Sequence, residues 1–230
     1  MQNKTKYLSY IAILVLSLLV IFYVTRDSLP GAIPEGMTTE QKKARFIKLI
    51  LPAIQKVYGD LNKKYSEISA IAAQTTLSKR DTEKLVRLQV QYGVKTNLQL
   101  LKILKPHPKS IALAQAALES AWATSRFFQQ ANNVFGMWSF DEDEPRIPAG
   151  KKRGDKIIWV RKYSSIENSV SAYYAVLAHG GVYARFRTAK MNTSDPFELV
   201  KYLDKYSERG SEYGKELGAM IRFNKFDQYD

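Results

Sequence analysis

Cysteine is missing altogether from the 230 residues, and histidine occurs only as His107 and His179. The first absence excludes a disulfide scaffold, a cysteine-ligated zinc site, an iron–sulfur cluster and a thiol nucleophile. The second leaves too few imidazoles for a three-histidine metal centre, and a Ser/His/Asp triad would have to use one of those two residues. The chain is therefore read as working without a metal or other cofactor. Acidic residues are the scarcer charge: Asp+Glu 22 against Lys+Arg 35 gives a net +13. The excess is local, with net charges of +1 over 1–37, +10 over 38–109 and +2 over 110–230. A basic block of this kind suits an anionic surface such as phospholipid headgroups or cell-wall polymer, with nucleic acid as the rival. There is no internal repeat or low-complexity stretch.

One long hydrophobic run is present. Residues Tyr7 to Val24 carry no charge over 18 positions, follow Lys4 and Lys6, and end before Arg26 and Asp27. At about 1.5 Å per residue this is roughly 27 Å of helix, close to the hydrocarbon thickness of a bilayer. The exit, Phe22 to Arg26, lacks the small residues of a signal-peptidase site, so an uncleaved anchor is expected rather than a cleaved leader. Positive charge before the span places the N-terminus in the cytoplasm. The rest then lies outside the inner membrane, in the periplasm or cell-wall space, where DNA is not the natural partner.

The expected organisation is a cytoplasmic tip and anchor over 1–26, a Pro/Gly tether over 27–38, a membrane-proximal helical segment over 39–105 and a catalytic domain over 106–230. Phe46, Ile50, Ile54, Val57, Leu61, Tyr65 and Ile68 recur at helical spacing. A second amphipathic stretch runs from Asp81 to Leu104, broken or bent at Gly93, so the two form a helical hairpin. Pro106 and Pro108 stop the helix, because each disfavours helical geometry in the residue before it. Ser110 is the expected N-cap of a helix from Ile111 to about Ala123. Glycines and prolines between Phe135 and Tyr163 suggest a two- or three-stranded lobe on loops. Helical pattern returns after Ser165.

The helix Ile111–Ala123 is apolar nearly all round, as in a helix buried in a core. It contains one acid, Glu119. Burial penalises an ionised carboxylate and raises its pKa, which is what a general acid needs for protonating a glycosidic oxygen. The plain alternative is a helix-end carboxylate that caps a loop or meets Arg126. Downstream, Asn132 and Asn133 with Phe135 and Trp138 have the composition of a sugar-groove wall, amides for N-acetyl groups and aromatic faces for pyranose rings. His107 between prolines reads as a loop residue, His179 as a helix end, and Arg185 and Arg187 as solvated surface.

The string from Ala112 to Trp138, ALAQAALESAWATSRFFQQANNVFGMW, resembles the Bax branch of the bacterial glucosaminidases of glycoside hydrolase family 73. Further similar blocks are KKARF at 42–46, KYSSIENSVSAYY at 162–174, YARFR at 183–187 and YSERGSEYGKELGAMIRFN at 206–224, so that the resemblance spans about residues 40 to 225. It implies a mainly α, lysozyme-like helical domain with a small β-hairpin lobe, acting on the β-1,4 bond after N-acetylglucosamine in peptidoglycan glycan strands. By position it implies Glu119 as the acid and Tyr206 as a tyrosine holding sugar or water. The second acid would sit on the lobe; Glu144 is preferred among Asp141 to Glu144 and Asp155, against the reading of Asp141 to Glu144 as a solvated acidic turn. Gln115, Trp122, Asn132, Asn133, Phe135, Trp138, Tyr163 and Tyr183 are the expected substrate contacts. The chain departs from the branch in having Ala121 and Ala123 where Gly-Trp-Gly is common, and in lacking the lobe cysteine pair. A lytic transglycosylase and a non-catalytic wall-binding scaffold are the rival readings.

Overall fold

The computed structural model describes residues 36–230 except 154 and 155. The span expected over 7–24 lies outside the described residues; among those described, no helix is long and apolar enough to cross a membrane. The chain opens with helix α1 (Thr39–Ala72), started by a capping box in which the Thr38 hydroxyl accepts from the Gln41 amide and the Gln41 side chain accepts from the Thr38 amide. Helices α2 (Lys79–Gln91) and α3 (Asn97–Leu104) follow. The break between them contains Gly93 at φ +63°, a conformation that favours glycine, and this is the interruption the sequence predicts.

The expected boundary at residues 105–106 does not separate two cores. Phe46, Ile50, Ala53, Ile54 and Val57 from the first half of α1 are buried in the same cluster as Ile111 to Ala117. Only the second half of α1 turns to a smaller cluster, Ile68 with Leu85, Leu88, Leu100 and Leu104. One helix of roughly 50 Å thus serves both clusters. Its apolar residues keep helical spacing throughout, which is why a hairpin pattern in sequence conceals a shared core.

The central helix α4 (Lys109–Glu119) lies against α1 on one side and the C-terminal elements on the other. Its N-cap is Pro108 rather than Ser110. Ser110 instead gives its amide (2.8 Å) and hydroxyl (2.5 Å) to the Asp230 carboxylate, a negative charge at the positive end of the helix. After α5 (Arg126–Ala131) comes the lobe: β1 (Trp138–Ser139), β2 (Arg146–Arg153) and β3 (Lys156–Arg161), antiparallel in the order β1-β3-β2. Trp138 pairs with Val160 and Arg146 with Arg161, and the β2–β3 register shifts between Pro148 and Lys152. The remainder is helical: α6 (Ile166–His179), α7 (Ala184–Asn192), α8 (Pro196–Leu199) and α9 (Ser211–Asn224), with 3-10 turns at Gly181–Tyr183, Val200–Tyr202 and Phe226–Tyr229. The mainly helical architecture with a small sheet is as the sequence suggests.

Candidate active site

Helix α4 ends at Glu119, four residues earlier than its sequence suggests, because the chain then turns left-handed. Ala121, Trp122 and Ala123 have φ of 49°, 60° and 60°. For residues with a Cβ each such conformation costs about 1–2 kcal/mol, so the turn must be held by other interactions. Buried Ser120 supplies them. Its hydroxyl donates to the Ala116 carbonyl (2.5 Å) and accepts from the Ala123 amide (2.8 Å), while its carbonyl accepts from the amides of Thr124 (3.0 Å) and Ser125 (2.9 Å). The turn sends Trp122 back against Phe46 (ring centroids 5.2 Å apart, edge-on), with Lys43 Nζ 5.0 Å over its ring. Trp122 therefore packs on α1 rather than offering a face to a sugar.

The Glu119 carboxyl is half-buried, and its pKa is raised. Burial is the main cause; Glu216 adds to it, while a hydrogen bond from Tyr213 and the charge of Arg209 oppose it. Its place at the negative end of the α4 dipole acts in the same direction as burial. The Tyr213 hydroxyl donates to Oε1 at 2.9 Å. Oε2 faces Gly136, where a Cβ would lie 3.9 Å away. The rim carries the Arg209–Glu216 ion pair, with Arg209 5.3 Å over the Tyr213 ring. The alternative partner Arg126 does not meet Glu119: it donates to the Pro148 carbonyl (2.6 Å) and to Gln130 (3.2 Å).

Behind Tyr213 a line of buried polar groups crosses the core. Gln115 Nε2 donates to the Tyr213 hydroxyl (3.0 Å), and the Tyr173 hydroxyl donates to Gln115 Oε1 (2.6 Å). The Tyr173 oxygen lies 2.9 Å from His107 Nε2. Since that hydroxyl hydrogen is already committed to Gln115, His107 must be the donor. Burial and the nearby Lys190 push its pKa well below the ordinary histidine value, which keeps it neutral. Every hydrogen bond in the line therefore points toward the carboxylate. His107 lies in the loop between α3 and α4, as its flanking prolines suggest, but its side chain is buried in the core.

The other sequence-predicted residues divide into support and surface. Gln115, Asn133 and Phe135 are buried. Gln115 belongs to the line above. Asn133 Nδ2 donates to the carbonyls of Met137 and Arg161 (2.9 Å each), and its Oδ1 accepts from the Met137 amide, clamping the lobe to the helices. Phe135 stacks on Tyr173 with centroids 3.9 Å apart. Asn132 has φ 49° and donates to the Tyr163 carbonyl at 3.0 Å. Tyr183 is 7% exposed. Trp138, at 46% exposure on β1 beside the still more exposed Phe140, remains open to a ligand. Glu144 forms an ion pair with Arg161 Nε at 2.9 Å, so it is more than part of a solvated turn.

Tyr206 stacks on Tyr213 with centroids 5.6 Å apart and planes 8° from parallel. Its hydroxyl is buried with no hydrogen-bond partner among the described residues, whereas that of Tyr163, also buried, has the Arg161 guanidinium beside it. Burial raises the pKa of both, and the charge of Glu119 adds to the effect on Tyr206. An orphaned hydroxyl costs about 1–3 kcal/mol, a cost a bound ligand can remove.

Sequence reading misses Tyr213. Its signal is its place on the buried stripe of α9, Tyr213, Gly214, Leu217 and Ile221, since a tyrosine in an apolar stripe needs a partner for its hydroxyl. Gly214 permits the approach: a Cβ there would lie 2.6 Å from the Val200 carbonyl oxygen.

Residues 95–226, which include Glu119, Tyr206 and Tyr213, match the Glucosaminidase family model, described as mannosyl-glycoprotein endo-beta-N-acetylglucosaminidase. The chain is 27% identical over 216 residues to the protein bax of Escherichia coli strain K12, covering 86% of this chain and 75% of that one. Among solved structures it is similar to the catalytic domain of the autolysin Auto from Listeria monocytogenes (20% identity, TM-score 0.47, 73% of this chain and 97% of that one). It is also similar to the glycoside hydrolase domain of Salmonella typhimurium FlgJ (25% identity, TM-score 0.42, 64% and 89%). At these TM-scores the structural likenesses add no weight, and the assignment rests on the family match over more than half of the chain. With a half-buried carboxyl whose pKa burial raises inside the matched region, the chain belongs to the glucosaminidase family, glycoside hydrolase family 73.

Proposed function

We propose that this glycoside hydrolase cleaves the β-1,4 bond after N-acetylglucosamine in peptidoglycan glycan strands, with Glu119 as general acid. The observation that carries this is the Glu119 carboxyl, its pKa raised by burial, with Oε1 engaged by Tyr213 and Oε2 turned to Gly136, where no side chain intervenes. A group that keeps its proton toward neutrality can give it to a leaving glycosidic oxygen. Glu144 is already paired with Arg161. That favours a path in which the substrate's own 2-acetamido carbonyl oxygen attacks C1 as the C1–O bond breaks and Glu119 protonates the leaving oxygen. Water then adds to C1 of the oxazolinium ion, opens it, and returns a proton to Glu119. Tyr206, whose ring stacks on Tyr213 and whose hydroxyl lacks a partner among the described residues, is the residue we assign to holding the sugar or that water. The chain is further proposed to be anchored in the inner membrane through residues 7–24, with the enzyme facing the glycan outside it.

Purified sacculi provide the test. Glu119→Gln should release no muropeptides while its circular dichroism and melting remain native; continued cleavage would refute the assignment. Products should carry a reducing N-acetylglucosamine end with added water, whereas anhydro-muramic ends would mean lytic transglycosylation. Glu144→Gln should keep kcat within roughly tenfold, and a loss of about a thousandfold or more would make Glu144 the second catalytic carboxylate instead.

A further inference from the structure

A second cavity lies away from Glu119, on the side of the core where α1, α3, α6 and α7 meet. Its volume is about 160 Å³. Its mouth is formed by exposed residues of α6, Ser171, Ala175 and His179, and its floor by buried Leu104, His107 and Lys190. Val57, Leu61 and Ile103 supply apolar walls. Among the described residues, none of those lining the cavity carries a carboxylate.

Lys190 is 3% exposed, and its ammonium donates to the Lys105 carbonyl. The charged groups that act on it, Lys105 and Arg187, are both cations. Arg187 is itself turned to backbone, donating to the carbonyls of Leu177 (3.2 Å) and Gly180 (2.7 Å). Burial is the main cause that lowers the Lys190 pKa to about 7, with those two cations adding to it. A buried ammonium with one backbone acceptor and no counter-ion is costly to fold around, and folded proteins normally pair such a charge. Lys190 borders the cavity, and among the described residues no carboxylate shares that lining.

We propose that this cavity is a binding site for a small organic monocarboxylate whose apolar tail lies along Val57, Leu61 and Ile103 and whose carboxylate pairs with Lys190. Three features select that class. Lys190 is the one fully buried cation of the lining, with half-buried Lys105 beside it and His179 only at the exposed mouth, so the charge at the bottom of the cavity matches a single carboxylate. Neutral His107 on the floor adds no second cation. The volume is close to that of cavities of about 150 Å³ that take up benzene, so a tail of about six carbons fits. The site is independent of the proposed glycan chemistry, although its floor shares His107 with the line of hydrogen bonds that ends on Glu119.

Calorimetric titration of the full chain with hexanoate tests this, with acetate, hexanol and inorganic phosphate as comparison probes. Hexanoate should bind saturably at pH 6 and at least tenfold more tightly than each comparison probe, because acetate and phosphate, the latter mostly a monoanion at this pH, lack the tail and hexanol lacks the charge. Binding should weaken by roughly tenfold or more at pH 9, where Lys190 has lost its proton, and by a similar factor in Lys190→Met. Ala175→Trp keeps the ammonium and blocks the mouth from an exposed position; it should also abolish binding. Absence of saturable hexanoate binding up to 10 mM (on the order of the weakest specific affinities), phosphate or hexanol binding as tightly, or undiminished binding in a folded Lys190→Met protein would each overturn the proposal.

Discussion

Replacing Tyr213 by phenylalanine removes one oxygen atom and two hydrogen bonds, the one given to Glu119 Oε1 (2.9 Å) and the one accepted from Gln115 Nε2 (3.0 Å). The ring and its stack on Tyr206 stay. The first lost bond acts on the ionised carboxylate, whose pKa it holds down against burial. A hydrogen bond to a charged group contributes about 1.5–3 kcal/mol, and one pKa unit corresponds to about 1.4 kcal/mol, so the Glu119 pKa should rise by about 1–2 units. A general acid must be protonated to act, so the alkaline limb of the kcat/KM profile on soluble glycan fragments should move to higher pH by that amount. The second lost bond orphans a buried amide hydrogen, at about 1–3 kcal/mol, which for a chain of this size is a fall in Tm of roughly 2–10 °C. The two effects are linked with a fixed sign. A carboxyl whose pKa is raised on folding favours the folded state most below the unfolded carboxylate range, and that contribution is lost as pH rises through the folded pKa. Losing the bond that stabilises the ionised form deepens that loss, so the deficit of Tyr213→Phe should be larger at pH 8 than at pH 4. An alkaline limb that stays in place, or moves to lower pH, would refute the account of Tyr213 as the group that sets the proton affinity of Glu119.

Two further substitutions separate function from stability around the same site. Tyr206→Phe removes a buried hydroxyl that has no protein partner, so thermal denaturation should show a protein at least as stable as the parent, by up to about 1 kcal/mol. On the proposed role of Tyr206 in holding sugar or water, the variant's activity on sacculi should nevertheless fall; unchanged turnover would remove Tyr206 from the site. Ala121 is exposed with φ 49°, and Ala121→Gly relieves a left-handed cost of about 1–2 kcal/mol against about 0.4–1 kcal/mol of added unfolded-state entropy. Urea unfolding should register a net gain of about 0.5–1 kcal/mol; a destabilised variant would mean that the turn is not strained at this position.

Much of this protein could be read from its residues alone because the relevant signals are local. The heptads of α1, the break at Gly93, the apolar run ending in Glu119 and the turn-rich lobe are each written within one short window, and burial of Glu119 follows from the grease around it. What sequence could not supply is direction. Glutamine and asparagine beside an expected sugar groove look like ligands for a sugar, yet Gln115 and Asn133 face inward, Gln115 to the hydroxyls of Tyr173 and Tyr213 and Asn133 to the backbone of Met137 and Arg161. Whether a polar side chain serves substrate or scaffold depends on which of its hydrogen bonds are already made, and those partners come from 58 to 98 residues away (|i−j| of 66, 58, 98 and 94 from His107 to Glu119). Sequence thus determined which segments would be buried and that one acid would be buried with them. Only the packing of α4, α6 and α9 decided that Tyr213 is the hydroxyl bonded to that acid, since a hydroxyl's partner is fixed by distances between elements and not by any pattern along the chain.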